Sequence, residues 1–454
     1  MKKNAIIDLT TGSVYKTLLA FSAPIMVSNL LQSAYNIVDM IIIGQYMGKV
    51  GLSAVSISTD ILHLINLGCN GLCNAAQVMI AQYTGAKNEK QVSRTIGTLF
   101  TTFGIIAIAV TVLLLLLTNP ILHYMNTDVT VWDEAVAYIS ICCLGQIFNF
   151  GYCLLGAFLR GKGDSKHPMV FVAIANIVNI VLDLLFVAVF QMGAAGAALA
   201  TVIGQMLSFL WGMYYLIRNR AWFGFDFSRS SFRPDLKLQK QFFKLGLPMC
   251  MQSVLVSAAR IMVNSYVYSY GVVVTAISGV GNKLGSLAQI ITNSLIRGGA
   301  AMVGQNIAAG KMDRVKQIVH YNFVIGMSYA TLLSLITILF PKFIFGIFTT
   351  DSDVIAMIPT YLPVVIITYY TFASRCPTMA LVNGIGRPKI NMAMGLIDGL
   401  VSRPGLSLLM GLVLNMGLTG FWYGGALAGF TALFIGGTYY LTGKWKTAKL
   451  ITKE

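Results

Sequence analysis

Long apolar runs separated by short polar breaks recur along the whole chain. A helix rising 1.5 Å per residue needs about 20 mostly apolar residues to cross ~30 Å of hydrocarbon. By that test the pattern predicts twelve spans, at roughly 17–43, 51–80, 96–118, 135–159, 168–190, 194–217, 242–270, 272–300, 317–340, 356–381, 390–414 and 418–441. Stretches such as Ile105–Leu117 and Phe171–Phe190 are apolar on every side, as in helices facing lipid or a core. The alternating ten-residue segments of a membrane β-barrel are absent. A basic start, Met1-Lys2-Lys3, is followed by polar residues and no cleavage site, which argues against a signal peptide. The fold class predicted is an all-α integral membrane protein.

Composition agrees. Only 11% of the 454 residues are charged, where soluble chains carry about 25%. A net charge of +16 would ordinarily suggest nucleic acid, but the basic residues follow the spans instead. Lys2, Lys3 and Lys16 precede span one; Lys87, Lys90 and Arg94 follow span two; Arg160, Lys162 and Lys166 follow span four. Seven more lie between spans six and seven, and the remaining even-numbered connections and the C-terminal tail continue the series. In all, 25 basic residues fall on one side and 2, Lys49 and Lys342, on the other. This asymmetry puts both termini in the cytoplasm and accounts for the charge without a nucleic-acid partner; the protein is expected in the plasma (inner) membrane. The seven Cys residues all fall within predicted spans without metal or thiol-pair spacing, and read as small packing residues.

The chain also repeats itself. Shifted by 223 residues, Leu159-Arg160-Gly161-Lys162-Gly163-Asp164-Ser165-Lys166 falls on Val382-Asn383-Gly384-Ile385-Gly386-Arg387-Pro388-Lys389. A shift of 224 pairs Pro24 with Pro248, and Met192-Gly193 with Met416-Gly417. The expected organisation is a six-helix bundle at 1–217, a cytoplasmic linker at 218–240 and a second six-helix bundle at 241–454. Spans one and seven share an orientation, so the bundles would be related by a pseudo-two-fold axis along the membrane normal. Two such bundles around a central cavity form a transporter layout, in which one half rocks on the other.

Ionisable residues at membrane depth mark functional sites by default. Four acids qualify: Asp39, Asp60, Asp183 and Asp398. Asn176, Asn179 and Asp183 are spaced three and four apart and share one face of span five. Amide and carboxylate oxygens are hard ligands for a small cation, or hydrogen-bond partners that hold an acid in place. Asp39 of span one offers a second carboxyl group, and two such groups in one site can share a proton. The same residues also suit a polar network that only fixes helix packing. Asp60 and His63, three apart in span two, read as a local hydrogen-bonded pair rather than a proton relay.

The second half carries cations instead. Arg260, Arg297, Arg375 and Arg403 lie in spans seven, eight, ten and eleven, with Lys283 in span eight. Asp398 precedes Arg403 by five residues, a poor spacing for a pair on one α-helical face. The local acids cannot neutralise all five cations. Either they contact lipid phosphates and carbonyls, or Arg260, Arg375 and Arg403 line a substrate cavity suited to an anionic or zwitterionic ligand. Pro24 and Pro248 provide bending points in spans one and seven. No HExxH, GxSxG or metal-spaced His cluster occurs, and Gly279-x-Gly281 does not complete a dinucleotide fingerprint, so neither an enzyme nor a cofactor is expected.

Taken together, twelve spans in two halves, Pro24 with Asp39 fifteen residues on, the Gln82–Lys87 loop and the Gly161-Lys162-Gly163-Asp164 loop with its second-half copy resemble the multidrug and toxin extrusion (MATE) transporters. The resemblance implies export of drugs or metabolites in exchange for Na⁺ or H⁺. In the DinF-like members it implies a cation site built from an Asp in span one, an Asn and an Asp four apart in span five, and a Thr eighteen residues later. Asp39, Asn179, Asp183 and Thr201 match those positions, with Asn176 in support, and Pro24 matches the family's bending helix. NorM-like members rely on acids in spans seven and ten, where this chain carries Arg260 and Arg375. The reading is therefore a cation-coupled antiporter exporting amphipathic small molecules, acting as a monomer in the lipid bilayer. The alternative is a lipid-linked precursor or polysaccharide flippase of the related two-bundle class.

Overall fold

The computed structural model describes residues 7–453; Lys2 and Lys3, counted above on the basic side, lie outside the described residues. Among the described residues there are helices and turns but no strand. Nine helices among these residues are long and apolar enough to cross a membrane. One of them, Val14–Gly85, runs for 72 residues and carries spans one and two, which meet at Gly48 with φ 62° and ψ −154°. A glycine alone makes that connection, because side-chain-bearing residues rarely adopt this backbone. Val272–Ala308 and Ile358–Ile385, with 37 and 28 residues, also have the length to cross. With these the spans number twelve.

By internal packing the chain forms two compact units, Met1–Asp8 with Ala23–Phe243, and Leu9–Ser22 with Lys244–Glu454. In the first, Ile42, Ile43, Tyr138, Cys142, Val187, Ala197 and Ala198 form a core drawn from spans one, four, five and six. Span four (Val129–Gly161) meets span six (Gly193–Arg218) where Gly145 and Gly151 face Val202 and Phe209, the small-residue packing that lets membrane helices approach closely. The stretch after span six is ordered. Phe223 and Phe225 are buried, Thr101 Oγ1 donates to the Phe232 carbonyl at 2.6 Å, and Arg94 pairs with Asp235 at 3.7 Å. Lys162 sits 5.1 Å from the Trp222 ring. The basic 2–3 and 4–5 connections thus share one side of the unit with this stretch.

In the second unit, Ile277, Val280, Phe345, Tyr361, Val365, Phe421 and Trp422 belong to one core. The segment before span one is tied to it through backbone carbonyls. Asn306 Nδ2 donates to Leu9 O, Lys311 Nζ to Thr10 O, and Arg314 to Thr11 O and Gly12 O, all at 2.7–2.9 Å.

The repeat is visible in the packing of each unit separately. A Cβ on Gly161 would lie 2.8 Å from Ile80 Cβ and 2.9 Å from Gln77 O; one on Gly384 would lie 2.6 Å from Val303 Cβ and 2.7 Å from Ala300 O. These contacts are equivalent at the 223-residue shift. So are the positive φ values at Gly163 and Gly386 (96° and 74°).

Candidate functional site

Asp39 and Asp183 come together inside the first unit. Both are buried, at 7% and 0% exposure, and their carboxyl groups lie close enough for a hydrogen bond when one carries a proton. Asp39 sits on span one, one helical turn after Tyr35. Asp183 is the last residue of α-helix Lys166–Asp183, where span five continues as a π-helix over Leu184–Val189. Such widened turns recur at functional sites.

Among the described residues no cation acts on either carboxyl group. Asp39 Oδ1, both Asp183 oxygens, both polar atoms of the Asn179 side chain and Asn176 Nδ2 are buried with no hydrogen-bond partner. Buried polar atoms are nearly always paired, so this concentration of unpaired atoms makes the place a candidate binding site. The oxygens are the donor type a small cation requires, and the carboxyl pair is equally suited to hold a proton. Thr201 joins the site through Tyr35, its Oγ1 lying 3.2 Å from the Tyr35 hydroxyl. Asn179 packs its Cβ against Gly204 of span six. Tyr35 and Tyr138, which both feel the two carboxyl groups, were not singled out from the sequence. Tyr35 had a legible signal, lying four residues before Asp39 on the same helical face.

Pro24 lies within the first helix, two residues after the chain passes from the second unit to the first at Ser22–Ala23. It has no N–H with which to continue the helix ladder.

The three arginines also come together, within the second unit. Arg260, Arg375 and Arg403 line a cavity of about 110 Å³ with Asn264, Gln289, Phe372 and Trp422. Arg403 Nη1 donates to Gly425 O at 2.8 Å, and Nη2 pairs with Asp398 at 3.1 Å. That pair corrects the sequence expectation. Residues Ile397–Ser402 form a π-helix, and a π turn brings residues five apart onto one face where an α turn does not.

A second expectation also fails. Asp60 and His63 are both exposed and share no hydrogen bond. His167, in contrast, makes a contact the sequence did not suggest. Its Nδ1 lies 2.6 Å from Asp164 Oδ2, which also accepts from Tyr215 OH at 3.1 Å; this stacked cluster fastens the 4–5 connection. Among the described residues the seven cysteines form no disulfide.

A helical protein of twelve spans in two bundles, with a buried carboxyl pair and a cavity lined by three arginines, is built as a membrane transporter. The chain belongs to the MatE family, whose model matches residues 24–185 and 248–405, once in each unit. Its members are multidrug efflux transporters, not enzymes. The probable multidrug resistance protein YpnP of Bacillus subtilis is 29% identical over 98% of this chain and 99% of its own. The probable multidrug resistance protein NorM of Thermotoga maritima is 24% identical over 100% and 97%. Among solved structures, a MOP superfamily transporter from Pyrococcus furiosus, described as having a binding pocket of reversed polarity, superposes with a TM-score of 0.90 at 20% identity over 99% of this chain and 100% of that one. A MATE crystal structure in the bent conformation gives 0.89 at 20% identity, over 99% of each chain.

Proposed function

We propose that this protein is a monomeric secondary antiporter that exports amphipathic small molecules in exchange for H⁺ or Na⁺, with Asp39, Asn179, Asp183 and Thr201 as the coupling site. The observation that carries the reading is the buried Asp39–Asp183 pair, with orphaned oxygens and no cation acting on it. Two negative charges cannot both stand uncompensated at membrane depth. The pair must therefore hold a proton or a cation in at least one state of the cycle. Neutralising it favours one conformation and substrate favours the other, which is the thermodynamic content of exchange. Pro24, on the helix that carries Asp39, is the bending point that links site occupancy to movement. Both termini are cytoplasmic, as the basic connections require.

The test uses purified protein in liposomes with Na⁺ and H⁺ gradients imposed separately, following efflux of one cationic and one anionic dye. Movement driven by one gradient and abolished by Asp183→Asn is the expected result, and it also names the ion. Failure of both gradients to move either dye would refute the coupling reading.

A further inference from the structure

The coupling site uses one unit, whereas the cavity of the second unit has the opposite polarity and no part in it. Arg260, Arg375 and Arg403 act on one another electrostatically, with Asp398 as the acid in their field. That acid is engaged by Arg403. Arg375 Nε is buried with no hydrogen-bond partner, and its guanidinium lies 5.7 Å from the Phe372 ring. Among the described residues Arg260 has no hydrogen bond or ion-pair partner. The cavity therefore holds two guanidinium groups with no bound acid, in a setting where charges are kept only when paired or used.

One wall of the lining is apolar and aromatic. Tyr361 meets Trp422 edge-on at 4.7 Å, and Trp422 Nε1 is anchored by Ser278 Oγ at 3.0 Å. Val263, Val364 and Phe421 complete that wall. Neutral donors stand beside the arginines, in Asn264, Asn282 and Gln289. A guanidinium fork matches a planar or tetrahedral oxyanion, and the aromatic wall matches a flat apolar body.

We infer that the cavity binds an oxyanion (carboxylate, phosphate or sulfonate) carried on an aromatic or apolar body, with Arg260 and Arg375 taking the charged group and the Trp422 wall taking the body. Arg403, held by Asp398 and Gly425, is a positioning residue that lends charge without being free to close on the ligand. This deepens the exporter reading and rests on it for the ligand's role as cargo, while binding itself is measured apart from transport. The volume of about 110 Å³ is below the about 150 Å³ of an apolar cavity that accommodates benzene, so the cavity takes the charged group and the near edge of the body, and the remainder of the body extends beyond it.

The experiment is calorimetric titration of the full chain in phosphatidylcholine nanodiscs with benzoate, 2-naphthoate and the matched cation 2-naphthylmethylammonium. The expected result is binding of the two anions and not of the cation. Arg260→Gln and Arg375→Gln should each weaken anion binding at least tenfold, and Arg375→Lys should recover part of it, since a point charge keeps the attraction but not the paired hydrogen bonds of the fork. Should one Gln variant fail to fold, the other and the Lys rescue still decide. Adding phosphatidylglycerol to the disc separates the sources: displacement of naphthoate identifies a lipid headgroup as the occupant, and no displacement a soluble anion. Asp183→Asn is the control for the reading beneath. Retained anion binding with lost ion coupling leaves the two sites independent, whereas normal coupling in that variant sinks the coupling site and not this one. Equal affinity for anion and cation, or anion binding unchanged by both Gln variants, would overturn the inference.

Discussion

Asp183→Asn removes one of two facing carboxyl groups and keeps the shape of the side chain. Two unit charges about 4 Å apart repel by about 4 kcal/mol at an effective dielectric of ~20, equivalent to roughly a thousandfold bias towards neutralising one of them. Among the described residues no cation relieves it: each carboxyl group acts on the other, and both act on Tyr35 and Tyr138. The wild type is thus expected to gain stability when it binds an ion, by about 2.7 kcal/mol at a hundredfold excess over the dissociation constant. The assay is thermal unfolding in detergent, in alkaline sodium-free buffer and then with either acidification or added Na⁺. The wild type should gain Tm with the coupling ion. The variant should start at or above the wild-type Tm in the ion-free buffer and gain little from either addition, because the repulsion that ion binding relieves has been removed. A variant that starts well below the wild type, or that keeps the full ion-dependent gain, would refute the argument, since the pair would then be a structural network and not an ion site.

Three further outcomes follow from the same geometry. Asp398→Asn leaves Arg403 unpaired at 13% side-chain exposure, a loss of about 3 kcal/mol, read as a lower Tm that Asp398→Glu partly restores. Gly384→Ala drives a methyl group to within 2.7 Å of Ala300 O and should cost about 1–3 kcal/mol, while Gly437→Ala, with nothing within 4 Å, should be neutral or slightly stabilising. Topology is checked with a membrane-impermeant maleimide: Tyr124→Cys, at a position 88% exposed, should label in intact cells, and Lys90→Cys only after permeabilisation.

How much of this was legible depended on whether the signal was local. The apolar runs mark the spans because the bilayer imposes a length, and the Asn179–Asp183 spacing puts both side chains on one face. Asp39 lies far along the chain from that face; as an acid at membrane depth it offered a second carboxyl group, and the resemblance joined it to the group. The Asp398–Arg403 pair was misread because a π turn cannot be seen in spacing that presumes 3.6 residues per turn. The spans predicted at 17–43 and 51–80 leave residues 44–50 between them, and a single left-handed glycine, Gly48, makes the connection. The gathering of Arg260, Arg375 and Arg403 depends on the packing of spans seven, ten and eleven, about which no single segment carries information.

The left-handed residues recur at one offset: Gly48 with Gly271, Lys87 with Gly310, Gly163 with Gly386, and, one residue further on, Gln191 with Asn415. That is the signature of an ancestral duplication preserved as backbone geometry after most side-chain identity had drifted. Turns and close helix crossings tolerate little change, because a wrong residue there costs the fold. The walls of each bundle carry no such restriction, so one copy came to present acids and the other guanidinium groups. A scaffold kept by its turns can thus invert the charge of what it binds without being rebuilt, and paralogues with opposite cargo preferences need differ only at a few wall positions.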